Sequence, residues 1–201
     1  MKSRSIIVYA LLAVVSGLST GLAYPPAVGI LSKSKSCISC HVNNGPWTDD
    51  QKTVIDILDK ETMKSLRRPD GTFLLEVRRG QQKTLLTVIG RSNDDTTAAP
   101  HRNAWLYVDP ARIESNSLSK FAPGWAVNLQ MSCRLVGDKL AAFEGAKISF
   151  LPMTIQPLDD AKNAEVRLQV MLTKGESVKG DAKAGMVGNY FERTLTLKVY
   201  E

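Results

Sequence analysis

Beyond Pro69, short runs of the chain alternate between apolar and polar residues and are separated by turn-forming residues. Such a period of two is typical of β-strands with one buried face. The most regular run covers residues 165–172, and a turn at residues 78–82 predicts a hairpin between the first two strands. Seven strands are predicted in this way, over residues 72–77, 84–89, 104–108, 125–136, 147–156, 165–172 and 190–200. Because one-sided strands must bury their apolar faces against each other, the pattern predicts a two-sheet β-sandwich.

One segment upstream of these strands has the period of a helix. Thr48 and Gln51 have the spacing of a capping box, and two acidic residues lie between them. The apolar stripe that follows consists of Val54, Ile55, Leu58, Thr62 and Leu66. Arg68 precedes Pro69, and the residue before a proline avoids the α region. The pattern predicts one helix over residues 48–68, so the chain is expected to be mainly β with a small α segment.

The first 23 residues have the composition of a secretory signal peptide. A short positive region with Lys2 and Arg4 precedes an apolar run over residues 6–18, and small residues end at Ala23. Cleavage after Ala23 is expected, and retention as an uncleaved anchor is the alternative. No later segment is long enough to cross a membrane. We therefore expect a bacterial protein that is periplasmic or otherwise exported, with no membrane span after cleavage of the signal peptide.

A short motif follows the signal region. Cys37, Cys40 and His41 form the pattern Cys-x-x-Cys-His, preceded by the polar residues 32–36. Two thiols at this spacing can form thioether bonds to the two vinyl groups of one porphyrin, and the adjacent imidazole can bind the iron. In these residues the chain resembles the c-type cytochromes without a departure, although the resemblance covers only the motif and its flanks. It implies one covalently attached haem c, with Cys37 and Cys40 as the thioether links and His41 as the proximal iron ligand.

Three other interpretations of the motif are weaker. A thioredoxin-like dithiol follows a hydrophobic strand, and no such strand precedes Cys37. A zinc site needs a second pair of ligands, whereas the chain offers only His101 and Cys133, each alone. A disulfide between Cys37 and Cys40 leaves His41 unexplained. Haem attachment is the interpretation that uses all three residues.

The predicted organisation departs from that of the small c-type cytochromes, which are helical and carry a ligand methionine in the same short domain. Here we expect a signal peptide at residues 1–23, a haem c-binding segment with one helix at residues 24–68, and a β-sandwich domain at residues 69–201. Trp47, in the turn-rich residues after the motif, either lies against the porphyrin edge or belongs to a small core.

The second axial ligand of the iron is not fixed by the motif. The candidates are His101, in a predicted polar loop over residues 91–103, and Met153, beside Pro152 in a predicted strand. Met63 and the other methionines are further alternatives, as is an open position. Cys133 lies on the apolar face of a predicted strand, where it is either a small core residue or a thiolate ligand.

These inferences favour an exported monohaem c-type cytochrome that carries single electrons between redox partner proteins. No Ser-His-Asp arrangement, phosphate-binding loop or second metal cluster is recognisable, so the protein is not expected to be an enzyme by itself. The formal net charge of +6, about +4 after signal cleavage, fits an acidic redox partner and gives no indication of nucleic acid. The alternatives are a haem-based gas or redox sensor and a docking subunit of a larger periplasmic oxidoreductase complex. The oligomeric state is left open.

Overall fold

The computed structural model describes residues 42–97, 100–107, 124–129, 134–173 and 187–201. These residues form β-strands joined by turns, with short 3-10 turns at Asp50–Lys52 and Ala141–Phe143. The strands are β1 (Val42–Asn43), β2 (Thr53–Asp59), β3 (Phe73–Arg78), β4 (Lys83–Ser92), β5 (His101–Tyr107), β6 (Trp125–Leu129), β7 (Arg134–Leu135), β8 (Ala146–Pro157), β9 (Ala164–Thr173) and β10 (Val187–Tyr200). The protein is therefore mainly β, as the sequence pattern predicts.

The strands form two sheets. Sheet A has the order β1-β10-β9-β5-β7, and β3 also pairs with β10. The long strand β10 is antiparallel to β9 over residues 188–197, whereas β1 and β3 pair with it in parallel, at its start and its end. Sheet B has the order β2-β4-β8-β6, with all neighbours antiparallel. Because β2 pairs with β4, sheet B extends across the domain boundary predicted after residue 68.

The two sheets bury a shared core between them. Sheet A contributes residues from β3, β9 and β10, and sheet B contributes residues from β2, β4, β6 and β8. The fully buried side chains of this core with the largest volumes include Trp47, Trp125, Phe73, Ile55, Ile57, Leu85, Ile89 and Met153. Each such aliphatic side chain stabilises the fold by about 1.5–3 kcal/mol relative to an exposed position. The prediction of two sheets that bury their apolar faces together is confirmed.

Sheet B is also apolar on part of its outer face. Leu58, Leu86, Val88 and Ile148 form a second buried cluster there. Leu140 and Phe143, from the segment with the second 3-10 turn, pack against this cluster. The central strands of sheet B are therefore buried on both faces over part of their length.

The helix predicted over residues 48–68 is wrong. Only Asp50–Lys52 is helical, as one 3-10 turn capped by the side chain of Asp49, and strand β2 follows at once. The apolar stripe fits a strand as well as a helix because both faces of β2 are buried. Ile55 lies in the shared core and Leu58 in the second cluster. The two side chains therefore lie on opposite faces of β2, as side chains three residues apart do in a strand. Their β-branched neighbours also favour a strand.

Each of the seven predicted strands has a counterpart, but their pairing and limits differ from the prediction. The strands β3 and β4 do not form a hairpin, because β3 lies in sheet A and β4 in sheet B. His101 is not in a loop: it is the first residue of β5, paired with Thr173 of β9 and Leu135 of β7. The predicted loop before β5 is therefore shorter than expected.

Candidate functional site

The residues of the Cys-x-x-Cys-His motif, Cys37, Cys40 and His41, lie outside the described residues, as does Cys133. The description begins at Val42, immediately after His41. The described segment directly after the motif is attached to sheet A.

The attachment is a short parallel pairing with the start of β10. Val42 and Asn43 are the register partners of Val187 and Gly188. The side-chain oxygen of Asn43 accepts a hydrogen bond of 3.0 Å from the backbone N–H of Tyr190. These contacts fix the chain at the edge of sheet A one residue after His41.

The next residues extend this attachment into the core. The N–H of Gly45 donates to the carbonyl of Gly188 at 2.7 Å. A Cβ atom at Gly45 would lie 2.7 Å from both the Oδ1 atom of Asn189 and the backbone carbon of Gly188, so only glycine fits. Trp47 is 2% exposed and lies in the shared core, and its backbone N–H donates to Oδ1 of the buried Asn189 at 2.6 Å. The position of Trp47 therefore supports its interpretation as a core residue.

A second pair of contacts holds the following turn against sheet B. The guanidinium group of Arg91, a residue that is 4% exposed, donates hydrogen bonds to the carbonyl of Asp49 and the hydroxyl of Thr53. The same group forms a 2.7 Å ion pair with Asp95. A hydrogen bond from the backbone N–H of Thr97, with the Arg91 pair, lowers the pKa of Asp95 to about 2. The chain from β1 to β2 is thus held at both sheets.

The register of sheet A places His101 on the same row as this attachment. Asn43 pairs with Gly188, Gly188 with Thr173, and Thr173 with His101. We call these four residues the end row of sheet A. They connect the strand that follows the motif with β5 across only two intervening strands, β10 and β9.

The outer face of sheet A beside the end row carries unusual buried groups. The core-facing residues of β9 are Val166, Leu168, Val170 and Leu172. Met171 and Thr173 alternate with them and lie on the outer face, and both have no exposed surface. Met171 belongs to neither of the two core clusters of the described residues. The hydroxyl of Thr173 is buried and has no hydrogen-bond partner.

Gly188 completes this outer surface. A Cβ atom there would lie 2.5 Å from the carbonyl oxygen of Leu172 and 2.8 Å from Sδ of Met171. We call Met171, Thr173 and Gly188 the outer platform. It combines a buried thioether, a buried hydroxyl and a glycine at which β9 and β10 approach each other closely.

The other predicted ligand, Met153, lies in a different environment. It has no exposed surface and packs in the shared core. In sheet B, Arg91 pairs with Lys147 and Leu85 with Met153. Arg91 and Leu85 are six residues apart on β4, which corresponds to about 20 Å along the strand. Met153 therefore lies far from the end of sheet B that holds the segment after the motif.

Met63 is also remote from that end. It follows β2 in a turn held by Asp59, whose carboxylate accepts hydrogen bonds from the backbone N–H groups of Glu61 and Thr62. Met63 is exposed and has a φ of 55°, in the left-handed region. Asp59 pairs with Leu85, the residue that also pairs with Met153.

The outer platform was missed by reasoning from the sequence alone. Residues 173–189 are rich in Gly, Lys and Asp and have the composition of a loop, so Thr173 and Gly188 give no signal of their own. Only the pairing of β10 with β1, and of β9 with β10 and β5, brings them onto one row with Asn43 and His101.

The described residues contain no group of three or more His, Cys, Asp or Glu side chains that could hold a metal ion. They also contain no helix that is long and apolar enough to span a bilayer.

Comparisons with known proteins give distant structural likenesses. No family model matches the sequence, and no curated protein matches it. The fold is similar to the ASH/PapD-like domain 7 of human CEP192, with a TM-score of 0.37, 12% identity, and coverage of 80% of this chain and 94% of that one. It is also similar to AvmM, which catalyses macrocyclisation in alchivemycin A biosynthesis, with a TM-score of 0.36, 8% identity, and coverage of 80% and 97%.

Proposed function

We propose that this protein is an exported monohaem c-type cytochrome that carries single electrons between redox partner proteins. The observation that carries the proposal is the complete Cys-x-x-Cys-His motif of residues 37–41, directly followed by a strand paired to sheet A. A signal-like segment at the N-terminus agrees with it, because thioether attachment of haem takes place outside the bacterial cytoplasm, as the family resemblance implies. In this proposal the protein is an electron carrier and not itself an enzyme.

Three residues would hold the cofactor. Cys37 and Cys40 supply the thioether links, and His41 supplies the proximal nitrogen ligand. When bound, haem supplies a one-electron couple that needs no acid or base from the protein.

The described residues support the proposal through the segment that follows the motif. Val42 and Asn43 pair with β10 directly after His41, so an attached haem would start from a fixed point at the edge of sheet A.

The role of the chain in this proposal is to make the position of the motif rigid. The hydrogen bonds from Gly45 to Gly188 and from Trp47 to Asn189 join the segment after the motif to strand β10. A buried tryptophan two residues after Gly45 resists displacement, because its removal from the core exposes a large apolar surface. Such fixing keeps the attachment geometry the same in both oxidation states and limits reorganisation during electron transfer.

The positive net charge of the protein supports a protein partner with a negative net charge. With a formal net charge of +6, about +4 after the expected signal cleavage, the chain is mildly basic. An acidic redox partner would associate faster, and the association rate would fall with ionic strength.

The test is to produce the protein in a host competent for cytochrome maturation and to measure its mass after denaturation. We expect the mass of one haem to remain attached, and we expect Cys37→Ala and Cys40→Ala to weaken or abolish that attachment. Cys133→Ala is the matched control and should keep the added mass. Absence of haem from the unaltered protein would overturn the proposal.

A second measurement separates the electron carrier from a gas sensor. Rapid formation of a carbon monoxide complex by the reduced protein would count against the carrier and would favour the sensor. Stable co-purification with a large oxidoreductase would instead favour the docking subunit.

A further inference from the structure

The turn of residues 59–64, at the end of β2, presents one methionine to solvent, and we call it the Met63 turn. We propose that Met63 is a site of reversible oxidation, at which a hydroperoxide converts the thioether to a sulfoxide while the fold stays intact. The site is separate from the proposed haem attachment and does not depend on a bound cofactor.

The first step is access to the sulfur atom. Met63 is 41% exposed, whereas Met153 and Met171 have no exposed surface. A peroxide reaches an exposed thioether directly, but it reaches a buried one only when the fold opens. Among the methionines of the described residues, Met63 is therefore the one that reacts in the native state.

The second step is the backbone at this position. Met63 has a φ of 55°, in the left-handed region, and no other non-glycine residue in the part of the chain that the structure describes has a positive φ. Glycine adopts this conformation more easily than methionine does. Met63 also belongs to neither core cluster of the described residues. The fold therefore gains little from this side chain, and the turn presents it to solvent.

The third step is the rigidity of the turn. The carboxylate of Asp59 accepts hydrogen bonds from the backbone N–H groups of Glu61 and Thr62 and from the Thr62 hydroxyl, at 2.9, 2.8 and 3.1 Å. The N–H of Met63 donates to the carbonyl of Asp59 at 2.8 Å, and the N–H of Asp59 donates to the carbonyl of Lys64 at 2.9 Å. None of these bonds uses the Met63 side chain, so the turn keeps its conformation when the sulfur gains an oxygen.

The fourth step is the setting of the product. Lys60 and Lys64 flank Met63 in the turn, and both are exposed and form no ion pair with the described residues. The two carboxylates of the turn are instead paired with Lys83, at 2.7 and 3.9 Å. A sulfoxide is polar and accepts hydrogen bonds, and an ammonium group is a donor. The product is therefore compatible with its surroundings, as it would not be in the core.

Hydrogen peroxide, the simplest hydroperoxide, balances the reaction alone. The sulfur lone pair attacks one peroxide oxygen, the O–O bond breaks as the S–O bond forms, and the other oxygen leaves as water with both protons of the peroxide. The sulfur loses two electrons and the peroxide gains them. Methionine sulfoxide reductases reverse the change.

The test treats the native protein with hydrogen peroxide and follows each methionine by peptide mass spectrometry. We expect Met63 to gain one oxygen, about 16 Da, at least about tenfold faster than Met153 or Met171. Treatment in urea removes the protection by burial, so the three rates should become similar there. Similar rates in the native protein would overturn the proposal.

Two variants assign the modified atom. Met63→Leu conserves volume and removes the thioether, so the peptide that contains residue 63 should no longer gain mass rapidly. Met171→Leu is the matched control and should leave that gain unchanged. A gain of the same size and rate in the Met63→Leu peptide would show that another residue is oxidised there.

A second measurement tests reversibility and tolerance. After selective oxidation, reductases for both sulfoxide epimers should together remove the added mass. Thermal unfolding followed by circular dichroism should give the same midpoint before and after oxidation, because no core residue has changed. A sulfoxide that the reductases do not remove, or a lowered midpoint, would contradict a reversible surface modification.

Discussion

At the scale of single residues, one amide side chain decides how the segment after the motif is held. Asn189 is buried, and its Oδ1 atom accepts the backbone N–H of Trp47 at 2.6 Å. Asn189 belongs to β10, whereas Trp47 lies far upstream, so this bond joins two distant parts of the chain. Without the bond, a buried donor would be left unsatisfied, and such a donor costs more than the bond itself contributes.

We expect Asn189→Ala to lower the free energy of unfolding by about 1–3 kcal/mol, because it leaves the Trp47 N–H buried without an acceptor. Urea unfolding followed by circular dichroism measures the change. Asn163→Ala is the control, since the Asn163 side chain accepts a similar bond from the N–H of Val199 at an exposed position. Equal losses in the two variants would show that burial of the Trp47 donor is not the cause.

At the scale of strands, close approach of backbones limits which residues sheet B accepts. Gly90 of β4 is paired with Ile148 of β8. A Cβ atom at Gly90 would lie 2.1 Å from the carbonyl oxygen of Lys147. This oxygen belongs to the backbone of the neighbouring strand, so relief of the contact would require the strands to separate.

Gly90→Ala is therefore expected to destabilise the protein by about 1–3 kcal/mol or more, as overpacking of a buried site does. Gly137→Ala provides the comparison, because a Cβ atom there meets no atom within 4 Å. That variant should be neutral or slightly stabilising, since alanine restricts the unfolded chain more than glycine does. Thermal unfolding of both variants tests the prediction, and a Gly90→Ala midpoint equal to that of the unaltered protein would contradict it.

At the scale of the whole molecule, the buried pair of Arg91 and Asp95 connects stability to pH. Their side chains are 5% and 9% exposed, so solvent screens the pair little. The folded-state pKa of Asp95, about 2, lies below its ordinary value of 3.8. A lowered pKa means that folding favours the charged carboxylate. The stabilisation is therefore present above about pH 4 and is lost as the pH falls from about 4 towards 2.

The shift corresponds to a contribution on the order of 2 kcal/mol near neutral pH. We expect the stability of Asp95→Asn to fall less steeply between pH 4 and 2 than that of the unaltered protein, in urea unfolding at fixed salt. Asp94→Asn is the control, because Asp94 pairs with Lys52 at a largely exposed position and should contribute little. Parallel curves for Asp95→Asn and the unaltered protein would refute this assignment.

Particular residues show why some predictions succeeded and others failed. Val166, Leu168 and Val170 reveal a strand, because the alternation of side chains between two faces is a local property of the extended backbone. Ile55 and Leu58 misled the helix prediction, because a strand buried on both faces contains apolar residues at positions that also match a helical stripe.

The turn after β3 shows a different limit of prediction from the sequence. Arg79 leaves β3 and bonds to Glu201 and to the carbonyl groups of Leu158, Asp159 and Ala161. These partners lie far away in the chain, so nothing in the turn sequence indicates that the chain crosses from sheet A to sheet B there. The hairpin prediction failed for this reason.

By itself, the amino-acid sequence determined the β class, the approximate positions of the seven strands after residue 69 and the motif that predicts a haem, because side-chain period and thiol spacing depend only on neighbouring residues. Only the tertiary structure decided which strands are neighbours. It placed His101 and Thr173 on one row with Asn43 and enclosed Met153 in the core. Strand order and register are set by the packing of segments that are distant in sequence, and the local pattern of each strand is compatible with several partners.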